Sequence, residues 1–228
     1  VGESDKIMYY ESSRGCPYAC SYCISAIERG IRPLPIDRVK ADLSYFVYKG
    51  VKQVKFVDRT FNYDDARCME ILRYLIETDN GVTNFHFELC GDIISPQLLE
   101  LLEKARPGLF QFEIGVQSTN EVTLKAINRR CDFPRLSDNV RRILGMGNIH
   151  LHLDLIAGLP FEDYESFARS FNDVYNLNPD MLQLGFLKLL PGTPIREQAE
   201  EYSYQFRSRA PYEVISNKFM SAEELSRL

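Results

Sequence analysis

The order of its hydrophobic segments restricts the fold of this chain more than any other property. Short runs rich in β-branched and aromatic residues alternate six times with longer amphipathic stretches. This alternation is typical of βα units around a parallel sheet, because each parallel strand needs a crossover segment before the next. We expect strands near residues 7–12, 51–58, 84–90, 109–117, 150–157 and 181–189. We expect helices near residues 37–49, 65–77, 96–104, 121–127, 134–144, 164–175 and 194–201.

Several of the expected strands alternate polar and apolar residues. Strands buried on both faces read instead as near-continuous apolar runs. In segment 110–117 one face is apolar and the other carries Gln111, Glu113, Gly115 and Gln117. The same parity gives two other strands a polar face: His86, Glu88 and Cys90 in the third, and His150, His152 and Asp154 in the fifth. A closed eight-stranded barrel fills its interior with side chains. The fold prediction is therefore α/β, a partial (β/α)6 TIM-like barrel around a cofactor cavity.

Composition predicts a globular protein outside membranes. The chain has 228 residues, of which 45% are hydrophobic and 26% charged, enough to bury a sizeable core. No window approaches the roughly 18 apolar residues of a membrane span, and the start lacks the order of a signal peptide. We therefore expect a cytoplasmic location. The net charge of -5 argues against general attraction to nucleic-acid phosphates.

Both ends of the sequence suggest a longer protein. The chain starts at Val1. A capping-box pattern at Ser221 predicts that a helix begins there, close to the end of the chain at residue 228. We expect one catalytic barrel over residues 1–228, with its core at about 5–200. Residues 201–228 would begin a C-terminal extension.

The most specific motif is CxxxCxxC, which spans residues 16–23 directly after the first expected strand. Three thiolates this close together suit one metal centre, and soft sulfur ligands select zinc, copper(I) or iron-sulfur clusters. Structural zinc normally takes four protein ligands, whereas this run offers Cys16, Cys20 and Cys23. Zinc and plain buried cysteines remain the alternatives. The other cysteines lack ligand spacing and are expected to be structural: Cys68, Cys90 and Cys131.

CxxxCxxC with an aromatic residue before the third cysteine resembles the cluster motif of radical S-adenosylmethionine (SAM) enzymes. The resemblance implies a 4Fe-4S cluster on Cys16, Cys20 and Cys23, with SAM on the fourth iron and Tyr22 near the adenine. It also implies an enzyme that reductively cleaves SAM to methionine and a 5′-deoxyadenosyl radical. An electron donor such as flavodoxin or ferredoxin would supply the electron.

Further motifs extend the resemblance over most of the expected barrel. Residues 113–118 resemble the ExGxQS pattern of the fourth strand, residues 124–129 the segment whose arginine reaches the SAM carboxylate, and residues 154–160 the fifth-strand motif. At residues 58–60 the chain has Asp-Arg-Thr, where other members often have Gly-Gly-Glu or Gly-Gly-Thr to receive the SAM amino group. The resemblance then implies SAM binding by the backbone from Asp58 to Thr60. The candidate SAM-binding residues are Tyr22, Asp58, Glu88, Gln117, Arg129 and Asp154.

The resemblance is strongest to the branch that includes oxygen-independent coproporphyrinogen dehydrogenase and cobalamin-binding radical SAM proteins. Cobalamin would then occupy a domain absent from this chain. The alternatives are a cobalamin-dependent methyltransferase, a hydrogen-abstracting oxidase, a tRNA methylthiotransferase, and a non-catalytic iron-sulfur or zinc scaffold. The set of Gln117, Arg129 and Asp154 argues against a scaffold, which has no use for a SAM clamp. The substrate is expected to be a small molecule of unknown identity.

Overall fold

The computed structural model describes residues 6–27 and 30–228 of the chain. Its strands are β1 (Ile7–Tyr10), β2 (Ser13–Arg14), β3 (Arg32–Pro33), β4 (Gln53–Phe56), β5 (Asn84–Leu89), β6 (Phe110–Gln117), β7 (His150–Ala157), β8 (Met181–Phe186), β9 (Gln205–Phe206) and β10 (Val214–Ser216). Its helices are α1 (Ile36–Tyr48), α2 (Asp65–Glu77), α3 (Pro96–Leu102), α4 (Glu121–Ala126), α5 (Phe133–Met146), α6 (Tyr164–Tyr175), α7 (Pro194–Glu197) and α8 (Ala222–Arg227). Every expected strand and helix is present, including the helix after Ser221.

The main sheet has six parallel strands in the order β1, β4, β5, β6, β7, β8. Neighbouring strands in the sheet are also successive along the chain, so each unit adds one strand and one crossover. The two outer strands, β1 and β8, do not pair with each other. The sheet is therefore an open, partial barrel, which confirms the predicted fold class.

Aromatic side chains form much of the hydrophobic core on the outer face of the sheet. The fully buried rings are Phe56, Phe85, Phe87, Phe110 and Phe112. Neighbouring rings meet edge-on, tilted or stacked, with centroids 4.4 to 6.2 Å apart. Burial of such side chains is worth several kcal/mol for each, roughly 3–5 kcal/mol when one is truncated to alanine.

Polar residues face the inside of the barrel, as the strand parity predicts. Register pairs Lys55 on β4 with His86 on β5, and pairs His86 with Gln111 on β6. One layer nearer the carboxyl ends, Glu88 pairs with Glu113. These rows lie on the opposite face from the aromatic core because successive residues of a strand alternate sides.

Local sequence signals begin the helices. At six helices in the described part of the chain, the side chain of the N-cap residue accepts a hydrogen bond from a backbone N–H group of the first turn. These N-cap residues are Asp64, Ser95, Asn120, Asp132, Asp163 and Ser221. Each such cap typically contributes about 1 kcal/mol. Ser221 and Glu224 form the predicted capping box of α8.

Residues 201–228 pack against the loop that follows β7. Tyr204 Oη and Asn217 Nδ2 both donate to the Gly158 carbonyl, at 2.9 and 3.0 Å. Gly158 has φ +87°, and a Cβ there would lie 2.7 Å from Val214. The glycine therefore lets this segment approach the barrel closely. Within the described residues, no helix is long and apolar enough to cross a membrane.

Candidate active site

The cysteine loop leaves the carboxyl end of β1 and is fixed at several points. Gly15 adopts φ +103°, and a Cβ there would collide with the backbone of Gly30. Only glycine fits this position, just before the first cysteine. Asn128 Nδ2 donates to the Ala19 carbonyl at 2.8 Å, so the segment after α4 holds the middle of the loop.

Backbone hydrogen bonds hold the second half of the loop. The N–H of Ser21 donates to the Ile127 carbonyl at 2.9 Å, and the N–H of Ile195 donates to the Ser21 carbonyl at 3.0 Å. The loop is thus attached to elements from both halves of the sheet. This attachment places the cysteines over the carboxyl ends of the strands, the edge at which βα loops build active sites.

One cavity brings the three motif cysteines together with most of the expected SAM residues. It is lined by Cys16, Tyr18, Cys20, Tyr22, Cys23, Arg59, Thr60, Glu88, Leu89, Cys90, Glu113, Gly115, Gln117, Arg129 and Asp154. All three motif cysteines are free thiols. In the part of the chain that the structure describes, no group of three or more His, Cys, Asp or Glu side chains has the geometry to hold a single metal ion.

Arg129 and Gln117 are folded against each other at the end of β6. Arg129 Nη2 donates to the Gly115 carbonyl, and Nη1 donates to Tyr22 Oη at 3.3 Å. Gln117 has φ +74°, and its amide group occupies the space that a Cβ on Gly115 would take. The glycine in the ExGxQS pattern therefore makes room for the glutamine side chain.

Three carboxylates from adjacent strands share the cavity: Glu88 on β5, Glu113 on β6 and Asp154 on β7. Burial, and then the charges of Glu113 and Glu88, raise the pKa of Asp154 to about 7. Burial, and then the charge of Glu113, raise the pKa of Glu88. Among the described residues Asp154 Oδ1 is buried and has no hydrogen-bond partner. An orphaned acceptor of this kind calls for a ligand or water.

Glu113 is the ionised member of this group. His86 Nε2 lies 3.0 Å from Glu113 Oε2, although the two groups are poorly aligned for a hydrogen bond. Lys55 Nζ donates to the same oxygen at 3.3 Å. The contact with His86, followed by the charge of Lys55, lowers the pKa of Glu113 to about 2 against the effect of burial.

Asp58 is the one expected SAM residue that does not line the cavity. It is 1% exposed, and its carboxylate accepts hydrogen bonds from Ser12 N, Ser12 Oγ and Ser13 Oγ at 2.8, 2.7 and 2.6 Å. These bonds tie the end of β4 to the segment after β1. The neighbouring residues Arg59 and Thr60 do line the cavity, so binding by this segment rests on them.

Cys90, which we expected to be structural, lines the cavity. Its thiol accepts a hydrogen bond from Tyr18 Oη at 3.3 Å and donates to Asp92 Oδ1 at 3.0 Å. Tyr18 lies inside the cysteine motif, so Cys90 supports the loop from β5. Only the position of Cys90 at the end of a strand, on the inward face, hinted at this contact.

Comparison with known proteins identifies the same region. Residues 10–174 match the sequence model described as Radical SAM superfamily, and residues 200–228 match that of a Protein of unknown function (DUF4080). A tRNA-2-methylthio-N(6)-dimethylallyladenosine synthase of Buchnera aphidicola is 26% identical over 87% of this chain and 47% of the relative. The ribosomal protein uS12 methylthiotransferase RimO of Geotalea uraniireducens is 26% identical over 86% of this chain and 45% of the relative. The chain thus spans less than half the length of these relatives.

Solved structures share the fold of this chain. The radical S-adenosylmethionine methyltransferase TsrM of Kitasatospora setae, solved with cobalamin and a 4Fe-4S cluster, superposes with a TM-score of 0.77 at 18% identity, over 91% of this chain and 43% of that chain. Coproporphyrinogen III oxidase of Escherichia coli superposes with a TM-score of 0.61 at 20% identity, over 89% and 54%.

Proposed function

The chain belongs to the Radical SAM superfamily, and from that premise we propose that Cys16, Cys20 and Cys23 hold a 4Fe-4S cluster that binds and cleaves SAM. The cofactors of this superfamily of enzymes are a 4Fe-4S cluster and SAM. When bound and reduced, the cluster supplies the electron that splits SAM into methionine and a 5′-deoxyadenosyl radical.

One observation carries the proposal: three free thiols from a single short loop share a cavity with buried polar atoms that have no partner. Within the described residues these atoms include Asp154 Oδ1 and Arg129 Nε. An acceptor and a charged donor beside three thiols fit a zwitterionic ligand bound next to a metal cluster.

The number of thiols favours a cluster over structural zinc. Structural zinc normally takes four protein ligands, whereas the motif offers three thiols. A cluster binds each thiolate through a different iron. With three thiolates, one iron is left for a ligand from outside the protein.

The roles of the polar residues follow from their chemistry. Arg129 offers a guanidinium to the SAM carboxylate, and Gln117 offers an amide that can both donate and accept. Asp154 and Glu88 offer oxygens to hydroxyl or ammonium groups. Arg59 and Thr60 lie where the backbone of segment 58–60 would meet the ligand.

Tyr22 also borders a second, mostly apolar cleft that we assign to the adenine. Its other lining residues are Cys23, Ile24, Ile156, Phe186, Leu187, Lys188 and Leu190. A flat heteroaromatic ring prefers apolar walls with a few polar groups at the edge. Burial raises the pKa of the Tyr22 hydroxyl, which keeps it neutral as a hydrogen-bonding group.

A second candidate function concerns the reaction of the whole protein. The curated relatives named above are methylthiotransferases, and this favours transfer of a one-carbon or sulfur-containing group as a second candidate for the whole protein. A cobalamin-dependent methyltransferase, with its cobalamin in another domain, would also transfer a one-carbon group. In each case the proposal requires a low-potential electron donor such as a flavodoxin or ferredoxin.

The test is anaerobic reconstitution with iron and sulfide, followed by dithionite and SAM. We expect about four irons for each chain and slow formation of 5′-deoxyadenosine, measured by chromatography. The triple variant Cys16→Ala, Cys20→Ala, Cys23→Ala should lose both. Cys131→Ala is the matched control, because Cys131 is a free cysteine outside the cavity lining.

Two results would contradict the proposal. Stoichiometric zinc without iron uptake would identify a zinc scaffold. A full cluster with bound SAM but no 5′-deoxyadenosine above the triple variant would show that this barrel alone does not cleave SAM.

A further inference from the structure

Two of the three motif cysteines have side-chain hydrogen-bonding partners at their sulfur atoms. Arg129 Nη1 donates to Cys20 Sγ at 3.8 Å, and Thr60 Oγ1 lies 3.5 Å from Cys16 Sγ. Cys20 is 5% exposed and Thr60 is 7% exposed, so both contacts are sheltered from water. The two partners come from different βα units of the barrel, Thr60 after β4 and Arg129 after α4.

Arg129 is held rigidly in this position. Its two terminal nitrogens are fixed by the Gly115 carbonyl and by Tyr22 Oη as well as by Cys20. A guanidinium does not lose its proton in proteins. The cavity therefore contains a permanent positive charge beside one sulfur, in a sheltered site where charge interactions are stronger than in water.

Thr60 offers a different kind of contact. Its hydroxyl donates to the Arg59 carbonyl at 2.8 Å, while either atom can be the donor between Thr60 and Cys16. A thiolate at Cys16 can only accept, and a hydroxyl has one proton to donate. We therefore expect the Thr60 hydroxyl to turn from the Arg59 carbonyl to the Cys16 sulfur when that sulfur is a thiolate.

We propose that Arg129 and Thr60 are positioning residues that set the reduction potential of the cluster by donating hydrogen bonds to Cys20 and Cys16. This inference rests on the proposed function. Reduction adds one electron to the cluster and changes neither its protein ligands nor its number of bound protons. The reduced form therefore carries one more negative charge. Donors and a cation at the thiolates therefore stabilise the reduced form more than the oxidised form. Removing them should make the cluster harder to reduce.

The sequence motif accounts for Arg129 in another way, as the partner of the SAM carboxylate. The two roles use different atoms, because Nη1 faces Cys20 while the buried Nε has no partner among the described residues. A bound carboxylate would offset part of the positive charge of the guanidinium. The effect on the cluster is therefore measured in the absence of SAM.

The experiment is a redox titration of the full reconstituted chain, followed by electron paramagnetic resonance of the reduced cluster. Dithionite is the reductant and is itself oxidised. Four variants are compared with the parent: Arg129→Gln, Arg129→Lys, Thr60→Val and Thr60→Ser. Arg130→Gln serves as the matched control, because Arg130 is exposed and does not line the cavity.

We expect a downward shift of the midpoint potential in Arg129→Gln and Thr60→Val. Arg129→Lys should shift less than Arg129→Gln because it keeps the charge, and Thr60→Ser should restore the potential because it keeps the hydroxyl. Arg130→Gln should shift less than Arg129→Gln. Iron content reports separately whether each variant loads its cluster.

The outcomes separate this inference from the proposed function. A parent protein that takes up no 4Fe-4S cluster contradicts the proposed function itself. Clusters that load fully but keep the parent potential in Arg129→Gln and Thr60→Val overturn the inference and leave the proposed function standing. An equal shift in Arg130→Gln also overturns it, since the effect would then come from overall charge.

Discussion

The affinity for SAM should depend on the protonation of Asp154. Burial and two neighbouring carboxylates raise the pKa of Asp154 to about 7, so the group is half neutral near neutral pH before SAM binds. A ligand that carries a sulfonium, an ammonium and hydroxyl groups favours the ionised carboxylate, because it offers positive charge and donors. Binding at lower pH must therefore first remove a proton from Asp154.

The size of the effect follows from the ionised fraction of free Asp154. With a pKa of about 7 this fraction is about 0.9 at pH 8 and about 0.09 at pH 6. The apparent affinity falls in proportion to the fraction of protein that is competent to bind. We therefore expect about tenfold weaker SAM binding at pH 6 than at pH 8, or about 1.4 kcal/mol.

Isothermal titration calorimetry of the anaerobic, cluster-loaded chain measures this change. The α-amino group of SAM titrates in the same range, so Asp154→Asn is measured in parallel, and the difference between the two proteins isolates the carboxyl. The variant should bind SAM more weakly at pH 8 and lose the tenfold difference. Buffers of different ionisation enthalpy should report about one extra proton released by the parent at pH 6. A tenfold pH effect that persists in Asp154→Asn would refute the reasoning.

Two other predictions concern Glu162 and Gly115. Glu162 is fully buried, and burial raises its pKa to about 7 although Ser118 and Ser170 donate to it. The stability from its neutral form is complete below about pH 4.5 and is lost as pH rises through 7, at most about 3 kcal/mol. Denaturant unfolding should show a smaller loss in Glu162→Gln, and equal slopes would contradict this. Gly115→Ala should displace the Gln117 amide and weaken SAM binding by about 1 kcal/mol with little change in melting temperature. Unchanged SAM affinity would remove Gln117 from the site.

The fold was predictable because the order of the elements, the helix cap and the strand parity all indicate the same architecture. The six βα alternations match the observed parallel sheet, and the capping box at Ser221 begins a helix where the sequence predicts one. The parity of residues 110–117 and 150–157 correctly assigns the polar residues to one face. These are short-range signals with fixed periods, so a single sequence is enough to read them.

The contacts across the site were harder to predict, since they depend on the distance between strands and on loop shape. The approach of Cys90 to Tyr18 joins residues 72 positions apart, and that of Arg129 to Cys20 joins residues 109 apart. The contact between His86 and Glu113 can be predicted only when the register of β5 and β6 is known. Asp58 shows the opposite case. The family resemblance suggested SAM binding by the backbone near Asp58, whereas the structure shows its carboxylate bound by Ser12 and Ser13.

The open barrel separates stability from chemistry on the two faces of one sheet. The outer face carries the phenylalanine core, and its apolar burial stabilises the fold. The inner face carries Glu88, Glu113 and Asp154 on adjacent strands. Burial, and then repulsion between these carboxylates, disfavours ionisation of Asp154 and Glu88. Such repulsion costs stability in the absence of a ligand, and a cationic ligand relieves it. The same carboxylates therefore lower the stability of the protein without ligand and favour the binding of a sulfonium compound.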